Sequence, residues 1–300
     1  MTDLRARSGR SASTPVRGAA DRDLWVVGDV HGALNKLRSL LLQAGLIDLE
    51  GRWAAEDSHL VFLGDYLDRG PDGARVVAFI RALELQAEDA GGRVTALLGN
   101  HEVMFLAAQR FRALDPHDGL GFREYWMRNG GLEADAERMD AADRAWLADR
   151  PAMVLAGPWL LMHADSSMYL RLGRSIREVN AQVTAMLRSA DPDVWGDFAN
   201  AFSDRFAFVR PDGVEIAART LMVFGGQRLA HGHTPVYILR EDFLPDANVG
   251  APVPYAGGAC LGLDSGMAYR EEAGFVARLD AAGVAEVIGL NGKVEPAPAL

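Results

Sequence analysis

The sequence predicts an α/β fold with a mixed β-core, and two observations lead to this prediction. Apolar runs of strand length end in polar residues at six places: LWVVGDVHG, HLVFLGDYLDRG, RVTALLGNHE, WLLMHAD, RLAHGHTP and GACLGLDSG. Segments with helical periodicity follow the first three runs, as in proteins whose strands alternate with helices. In such folds the chemistry lies at the carboxyl ends of the strands, which is where these polar residues fall.

The spacing of apolar side chains predicts the individual helices. Their buried faces comprise Leu34, Leu37, Leu40, Leu41 and Ala44 after the first run, Val76, Val77, Ile80 and Leu83 after the second, and Val103, Met104, Phe111 and Leu114 after the third. A further helix is predicted from Ser175 to Leu187, with Ser175 and Glu178 as a capping box. The segments AMVLAGPWLLMHA and FVARLDAAGVAEVIG each predict two strands joined by a turn, so the core includes antiparallel pairs.

Composition divides the chain and limits its setting. Residues 1–22 carry five Arg and two Asp without an apolar period, which predicts a disordered tail, with a basic docking arm as the alternative. Residues 291–300 predict a loose Pro/Ala-rich tail after a domain spanning 23–290. The net charge of −10 argues against nucleic-acid binding. A lone cysteine, Cys260, and the absence of long apolar runs predict a cytoplasmic protein without a membrane partner.

The polar residues at five strand ends belong to few chemical types. They are Asp29 and His31; Asp65, Asp68 and Arg69; Asn100, His101 and Glu102; His163; and His231 with His233. Each cluster alone has an ordinary explanation as a turn, a helix cap or a core histidine. Together, carboxylate and imidazole donors without thiolate suit Mn, Fe or Zn, and their number fits two ions that share a carboxylate. Such a pair serves phosphate chemistry. His59 and His117 lie elsewhere and are assigned to surface or loop positions.

Taken in order, GDVHG, GDYLDRG, GNHE, a strand-end His and HGHTP resemble the motifs of the calcineurin-like metallophosphoesterases. The DRG and GNHE forms are similar to the phosphoprotein phosphatase branch, which includes bacterial serine/threonine phosphatases and symmetrical diadenosine tetraphosphate hydrolases. The resemblance covers about residues 24–269. It implies a four-layer αββα metallophosphoesterase sandwich. The long insertion between two motif-bearing strands, about 165–228, is predicted to form a helical cap over the site.

The resemblance also implies two divalent metal ions, with Mn expected first and Fe or Zn as alternatives. Its ligand set would be Asp29 and His31 for the first ion, Asp65 as the bridge, and Asn100, His163 and His233 for the second ion. In HGHTP the family's Gly-His position selects His233 as the ligand. His231 would then lie near the site behind the ligands.

Catalytic roles follow from the same resemblance. His101 would be the general acid that protonates the leaving oxygen, and Asp68 would hold its imidazole in the required tautomer. Arg69 would bind a phosphate oxygen, together with Asn100 and His101. The cap segment VWGDFANAFSDRF is loosely similar to the one that carries a second phosphate-binding arginine, which makes Arg205 the candidate and a surface arginine the alternative.

Two segments need separate interpretation. HADSS stands where the family has His-Gly-Gly or His-Ala-Gly, which puts Asp165 near the pocket. That carboxylate would repel a polyanion, contact a cation or sit in a turn, and the turn is favoured. YWMRNGG, residues 125–131, resembles a segment of bacterial members, and the alternative is a helix that simply ends with Gly130 at its C-cap.

The implied function is hydrolysis of phosphomonoesters, with phosphoserine and phosphothreonine in proteins as the expected substrates, by in-line attack of a metal-bridging hydroxide. A symmetrical dinucleoside polyphosphate hydrolase or a small-molecule phosphatase is the alternative. In that case Trp195, Phe198 or Phe206 would stack on bases, although core packing is the expectation for each. A non-catalytic scaffold that binds phosphorylated partners is a remote alternative, because every predicted ligand and the acid are present.

Overall fold

The computed structural model describes residues 22–112, 121–241 and 249–295. Within these ranges, one sheet contains β1 (Leu24–Val27), β2 (His59–Phe62), β3 (Arg93–Ala96), β9 (Phe275–Leu279), β10 (Val284–Gly289) and β11 (Gly292–Val294). Its spatial order is β11-β10-β9-β1-β2-β3. The three strands β1, β2 and β3 are parallel, and β9 pairs with β1 in the antiparallel direction.

The second sheet is also mixed. It contains β4 (Met153–Ala156), β5 (Trp159–Met162), β6 (Arg228–Pro235), β7 (Val253–Tyr255) and β8 (Cys260–Asp264). Its order is β4-β5-β6-β8-β7, and β5, β6 and β8 run parallel. The two sheets meet at the carboxyl ends of β1 and β8, where Gly28 packs so closely on the Leu263 carbonyl that any side chain would overlap it.

Helices cover the sheets and fill the connections between strands. Those of the first half are α1 (Leu34–Gln43), α2 (Gly73–Asp89), α3 (Asn100–Arg110), α4 (Phe122–Arg128), α5 (Glu133–Arg138) and α6 (Ala141–Ala148). Four helices of the described chain lie between β5 and β6: α7 (Tyr169–Leu172), α8 (Ile176–Arg188), α9 (Pro192–Phe202) and α10 (Gly213–Phe224). The short helix α11 (Val236–Leu239) follows β6. The predicted mixed α/β sandwich is confirmed.

The parallel pairing brings the polar strand ends to one edge of each sheet. Backbone hydrogen bonds join the connecting loops there, because the amide of His31 donates to Asp65 O at 2.9 Å and the amide of Gly232 donates to His163 O at 2.9 Å. The loops after β1 and β2 are thereby joined to each other, and the residue that follows β5 is joined to β6. The amide of His233 in β6 donates to Asp29 Oδ1 at 2.9 Å and links the two sheets. This arrangement positions the site described below.

Three local predictions differ from the structure. Ser175 accepts the amide of Glu178, but the Glu178 carboxylate bonds the amide of Arg174 instead of Ser175, so the capping box is incomplete. Residues Gly292–Val294, predicted as part of a loose tail, pair with β10 because Leu290 and Asn291 allow a tight turn. His59 begins β2 and bonds Thr95 Oγ1 at 2.9 Å, so it is not a loop residue. The predictions for residues 1–21, Leu114, His117 and 296–300 lie outside the described residues.

Candidate active site

Asp65 stands at the centre of the polar cluster, and its loop is fixed from several sides. Its amide donates to Glu102 Oε2 at 2.8 Å, and its Oδ1 accepts the amide of His101 at 3.0 Å. The carboxylate faces the Nε2 atoms of three histidines: 3.6 Å from His31, 3.4 Å from His163 and 4.0 Å from His101. All of these side chains are buried. A single carboxylate therefore lies within reach of donors from three separate segments of the chain.

Two groups of donor atoms within the described ranges have a spacing that suits a metal ion, and they share Asp65. One group is Asp65 with His31 and His101; the other is Asp65 with His163 and His233. Asp29 lies beside the first group, 3.9 Å from His31 Nε2, and both of its oxygens accept the amide of His233. A carboxylate common to two neighbouring groups is the geometry of a bridging ligand.

In His31 and His163 the tautomer makes Nε2 a lone-pair atom of the kind that binds a metal. His31 Nδ1 donates to Leu67 O at 2.8 Å and His163 Nδ1 donates to Leu63 O at 2.9 Å, so each Nε2 retains its lone pair. His163 Nε2 lies 2.9 Å from Asn100 Oδ1, another acceptor. Two acceptors facing each other at this distance are favourable when both bind one cation. The donor set therefore fits a divalent ion at this point.

The charge balance of the site leads to the same conclusion. Burial, with Asp264 and Asp65 nearby, raises the pKa of Asp29 well above its usual value. Burial also raises the pKa of Asp264 to about 6. Burial is the main cause that lowers the pKa of three histidines of the donor groups, His31, His163 and His233. Neutral imidazoles beside mutually repelling carboxylates form a site that a divalent cation stabilises.

His101 and Asp68 form a hydrogen-bonded pair next to this donor set. His101 Nδ1 lies 2.7 Å from Asp68 Oδ2 and donates to it, so Nε2 faces the Asp65 carboxylate and the centre of the site. Asp68 is fully buried, and its second oxygen accepts the indole N–H of Trp126 at 2.8 Å. The Asp68 carboxylate thus holds the imidazole of His101 in one orientation, and the indole of Trp126 in turn fixes the carboxylate.

Arg69 follows Asp68 and projects toward the first donor group. Its guanidinium donates to His31 Nε2 at 2.8 Å and lies over the ring of Tyr269, 4.9 Å from the ring centroid. Asp68 and Arg69 have φ of 70° and 67°, a left-handed conformation that costs a non-glycine residue about 1–2 kcal/mol. Such strain persists where surrounding contacts impose it, and it is concentrated at functional sites.

The insertion between β5 and β6 reaches the second donor group through Ser203, which follows α9. The backbone oxygen of Ser203 accepts a hydrogen bond from His233 Nε2 at 3.1 Å. The hydroxyl oxygen of Ser203 accepts a hydrogen bond from the side-chain amide of Asn100 at 3.2 Å. Arg205 is half-buried two residues later. Its positive charge adds to the lowering of the pKa of His233 and offsets part of the rise in the pKa of Asp264, so it lies near the site. It makes no hydrogen bond or ion pair with the described residues.

Asp165 braces this insertion and does more than occupy a turn. It is fully buried; its Oδ1 accepts the Thr234 hydroxyl at 2.6 Å, and its Oδ2 accepts the amide of Phe206 at 2.8 Å. The carboxylate therefore ties the segment that carries Arg205 to the end of β6, which carries His233. Both oxygens are engaged within the protein.

The remaining candidates occupy different environments. His231 is buried away from the donor groups, with Nδ1 bonded to Gly232 O and Nε2 bonded to the Tyr255 hydroxyl at 2.7 Å. Trp195 and Phe198 are core residues at 2% and 3% exposure, whereas Phe206 is 36% exposed.

Sequence reasoning assigned no site role to Asp264 or Trp126. Asp264 ends the sixth apolar run, GACLGLD, and follows the same pattern as the other strand-end carboxylates, so a signal for it was present. Trp126 had no such signal, because its contact with Asp68 joins a helix to a distant loop.

The family of the chain follows from this arrangement together with sequence comparison. Residues 23–237 match the family described as calcineurin-like phosphoesterase. The chain belongs to the calcineurin-like phosphoesterases. The predicted family is therefore confirmed.

The relatives of this calcineurin-like phosphoesterase include proteins named as protein phosphatases and a protein named as a symmetrical tetraphosphatase. Shewanella-like protein phosphatase 2 of Arabidopsis thaliana is 42% identical over 81 residues, which are 27% of this chain and 21% of the plant protein. The chain thus spans about a fifth of that relative's length. The symmetrical bis(5'-nucleosyl)-tetraphosphatase of Methylococcus capsulatus is 26% identical over 83% of this chain and 89% of its own length.

Comparison with solved structures supports the fold. A cold-active protein tyrosine phosphatase superposes with a TM-score of 0.69 at 22% sequence identity, covering 92% of this chain and 79% of that one. In the part of the chain that the structure describes, no helix combines the length and apolar character needed to cross a bilayer.

Proposed function

We propose that this calcineurin-like phosphoesterase is a two-metal phosphomonoesterase that acts on phosphorylated side chains of proteins, phosphoserine and phosphothreonine foremost. The observation that carries the proposal is the single carboxylate of Asp65 shared by two groups of metal donors, with the His101–Asp68 pair beside it. One carboxylate between two donor groups suits a pair of ions, and a positioned imidazole next to them suits proton transfer to a leaving group.

The proposed ligands are those that the family resemblance implies, and the positions of the donor atoms support them. Asp29 and His31 would hold one ion, Asp65 would be common to both, and Asn100, His163 and His233 would hold the other. His101, which also stands in the first donor group, is assigned the role of acid because its Nδ1 is bonded to Asp68. When bound, the two divalent ions supply Lewis-acid activation of water and of the phosphoryl oxygens. Manganese is proposed first, with iron or zinc as alternatives, because imidazole and carboxylate donors without thiolate suit these ions.

The residues of this chain then divide the remaining work. Arg69 and Asn100 bind phosphoryl oxygens, and Arg205 adds a second cation from the insertion, 165–228, which acts as a cap. His101 donates a proton from Nε2 to the departing oxygen, while Asp68 holds Nδ1. Hydrolysis proceeds by direct in-line displacement without a phosphorylated enzyme.

A second candidate is symmetrical cleavage of dinucleoside polyphosphates. It is favoured by the similarity to the Methylococcus symmetrical tetraphosphatase, which extends over most of both chains. The exposed ring of Phe206 is the cap aromatic available to stack on a base, since Trp195 and Phe198 are buried. Small phosphoesters remain a further substrate class for the same chemistry, and the single cysteine suits a cytoplasmic setting.

Product analysis on the manganese-loaded protein separates these candidates. A phosphothreonine peptide, a phosphotyrosine peptide and diadenosine tetraphosphate are supplied in parallel at matched concentration, and an Asp65→Asn preparation controls for contaminating phosphatases. We expect phosphate from the phosphothreonine peptide, with the dinucleotide nearly intact. Rapid ADP formation with slow peptide hydrolysis would favour the second candidate, and no turnover of any ester would overturn the proposal.

A further inference from the structure

The segment from Trp126 to Gly131 lies outside the strand-end motifs and contacts both Asp68 and Arg69. Trp126, in α4, is fully buried and donates its indole N–H to Asp68 Oδ1 at 2.8 Å. The other oxygen, Asp68 Oδ2, accepts from His101 Nδ1 at 2.7 Å. Because each carboxylate oxygen has its own donor, the carboxylate cannot rotate without losing one of the two bonds. Trp126, Asp68 and His101 form a continuous hydrogen-bonded chain.

The turn after α4 makes the second contact. Gly130 O accepts the amide of Arg69 at 2.8 Å. Gly130 has φ of +99°, and a β-carbon there would lie 2.7 Å from Arg69 Cγ. A β-carbon on Gly131 would overlap the indole of Trp126. The two glycines therefore do more than end a helix, because they allow the turn to pack directly on the indole and on Arg69.

These contacts hold two residues in an unfavourable backbone conformation. Asp68 and Arg69 are consecutive left-handed residues, so their backbone preferences do not hold them in place. We propose that Trp126 is a positioning residue for His101. Trp126 fixes the Asp68 carboxylate, which keeps the proton on His101 Nδ1 and aims Nε2 at the leaving oxygen. This inference rests on the proposed function.

Leaving-group dependence tests the role of Trp126. Trp126→Phe removes the indole N–H. Trp159→Phe is the matched control, because Trp159 is also a buried tryptophan and donates to Asp280 O at 2.8 Å, away from the site. On a phosphothreonine peptide we expect Trp126→Phe to lower kcat about tenfold to a hundredfold, with KM unchanged, as proton donation is misaligned. On p-nitrophenyl phosphate, whose leaving group needs no proton, we expect a change below about threefold.

A double-mutant cycle tests whether Trp126 acts through Asp68. In an Asp68→Asn background, Trp126→Phe should produce no further loss on the peptide, whereas Trp159→Phe should have the same effect in both backgrounds. Equal losses on both esters, or losses that add in the cycle, would overturn the inference.

A second measurement does not depend on turnover. The Nδ1 proton of His101 is followed by NMR and assigned by its disappearance in His101→Ala. We expect this resonance to shift in Trp126→Phe and to stay in place in Trp159→Phe; an unchanged resonance in both overturns the inference even if the wild type hydrolyses no ester. If Trp126→Phe does not fold, benzothienylalanine at position 126 keeps the shape of the indole without its N–H and serves the same tests.

Discussion

Gly99 packs directly on Asp65: a β-carbon added to Gly99 would overlap both the Asp65 amide nitrogen and its Oδ1. The backbone of Gly99, at φ −104° and ψ 169°, is open to any residue, so the requirement for glycine is purely steric. The carboxylate that both donor groups share is thus held against a backbone that has no room for a side chain.

Gly99→Ala should therefore displace Asp65 and cost about 1–3 kcal/mol of unfolding free energy, as overpacking does. The control is Gly196→Ala in α9, where a β-carbon meets nothing within 4 Å. That change should stabilise the protein by about 0.5–1 kcal/mol. Urea denaturation and manganese calorimetry measure both variants. Equal stability and equal manganese affinity in the two variants would contradict this account of Gly99.

Asp65→Asn should weaken manganese binding by more than about tenfold at both ions, because Asp65 is common to both donor groups. Asp48→Asn, a surface change at a carboxylate that bonds Arg52, should leave binding unaltered. Calorimetry with metal analysis of the dialysed protein gives the affinity and the stoichiometry. Retention of two ions at wild-type affinity would show that Asp65 does not bridge.

His101→Ala should leave the metal content unchanged and lower kcat on a phosphothreonine peptide by about 10²–10⁴-fold, the usual contribution of a general acid. The loss on p-nitrophenyl phosphate should be far smaller. Steady-state kinetics on the two esters checks this. Full activity of the variant on the peptide would remove His101 from the role of acid.

Asp165→Ala should release the segment that carries Arg205, since both bonds to Thr234 and Phe206 disappear. We expect a loss of about 2–4 kcal/mol in unfolding free energy, from two buried groups left unpaired, and weaker inhibition by inorganic phosphate. Asp165→Asn keeps an oxygen for the Phe206 amide and an amide for the Thr234 hydroxyl, so it should restore much of both. An Ala variant that binds phosphate like the wild type would mean that Arg205 takes no part.

The pH dependence of stability has a contribution from His59, remote from the metal donors. Burial, with Arg93 and Arg22 nearby, lowers its pKa to about 4 in the folded protein, against about 6.5 when unfolded. The unfolded state therefore binds the extra proton first, and stability falls as pH drops from about 6.5 to about 4.

Across that range the metal-free wild type should lose about 2–3 kcal/mol more than His59→Gln. Urea denaturation at neutral and acidic pH compares the two proteins. Parallel stability curves would contradict a depressed pKa.

Sequence reasoning located most of the donors because the rule it used is local. A strand followed by a carboxylate or an imidazole is visible in a few residues, and parallel pairing brings such ends together. The choice between His231 and His233 depends on the backbone conformation of β6, which the sequence pattern does not show. Side chains two apart share a face in a regular strand, and the irregular pairing of β6 with β8 after His231, with φ of 64° at His233, separates them.

Contacts between distant segments were beyond that rule. The bond from Trp126 to Asp68 and the two bonds of Asp165 depend on how loops pack in three dimensions, and no periodicity encodes them. The strand Gly292–Val294 was missed for a similar reason, since a three-residue edge strand depends on its partner for its conformation.

The position of β1 in its sheet has a consequence for synthesis. Leu24 pairs with His59 on one side and with Leu279 on the other, so one edge of β1 acquires its partner only after β9 has been synthesised. A chain still attached to the ribosome carries every proposed metal ligand while that edge has no neighbour. Folding is therefore completed after the site residues have been translated. During that interval an incomplete chain exposes the unpaired edge of β1, which can pair with another chain and lead to aggregation.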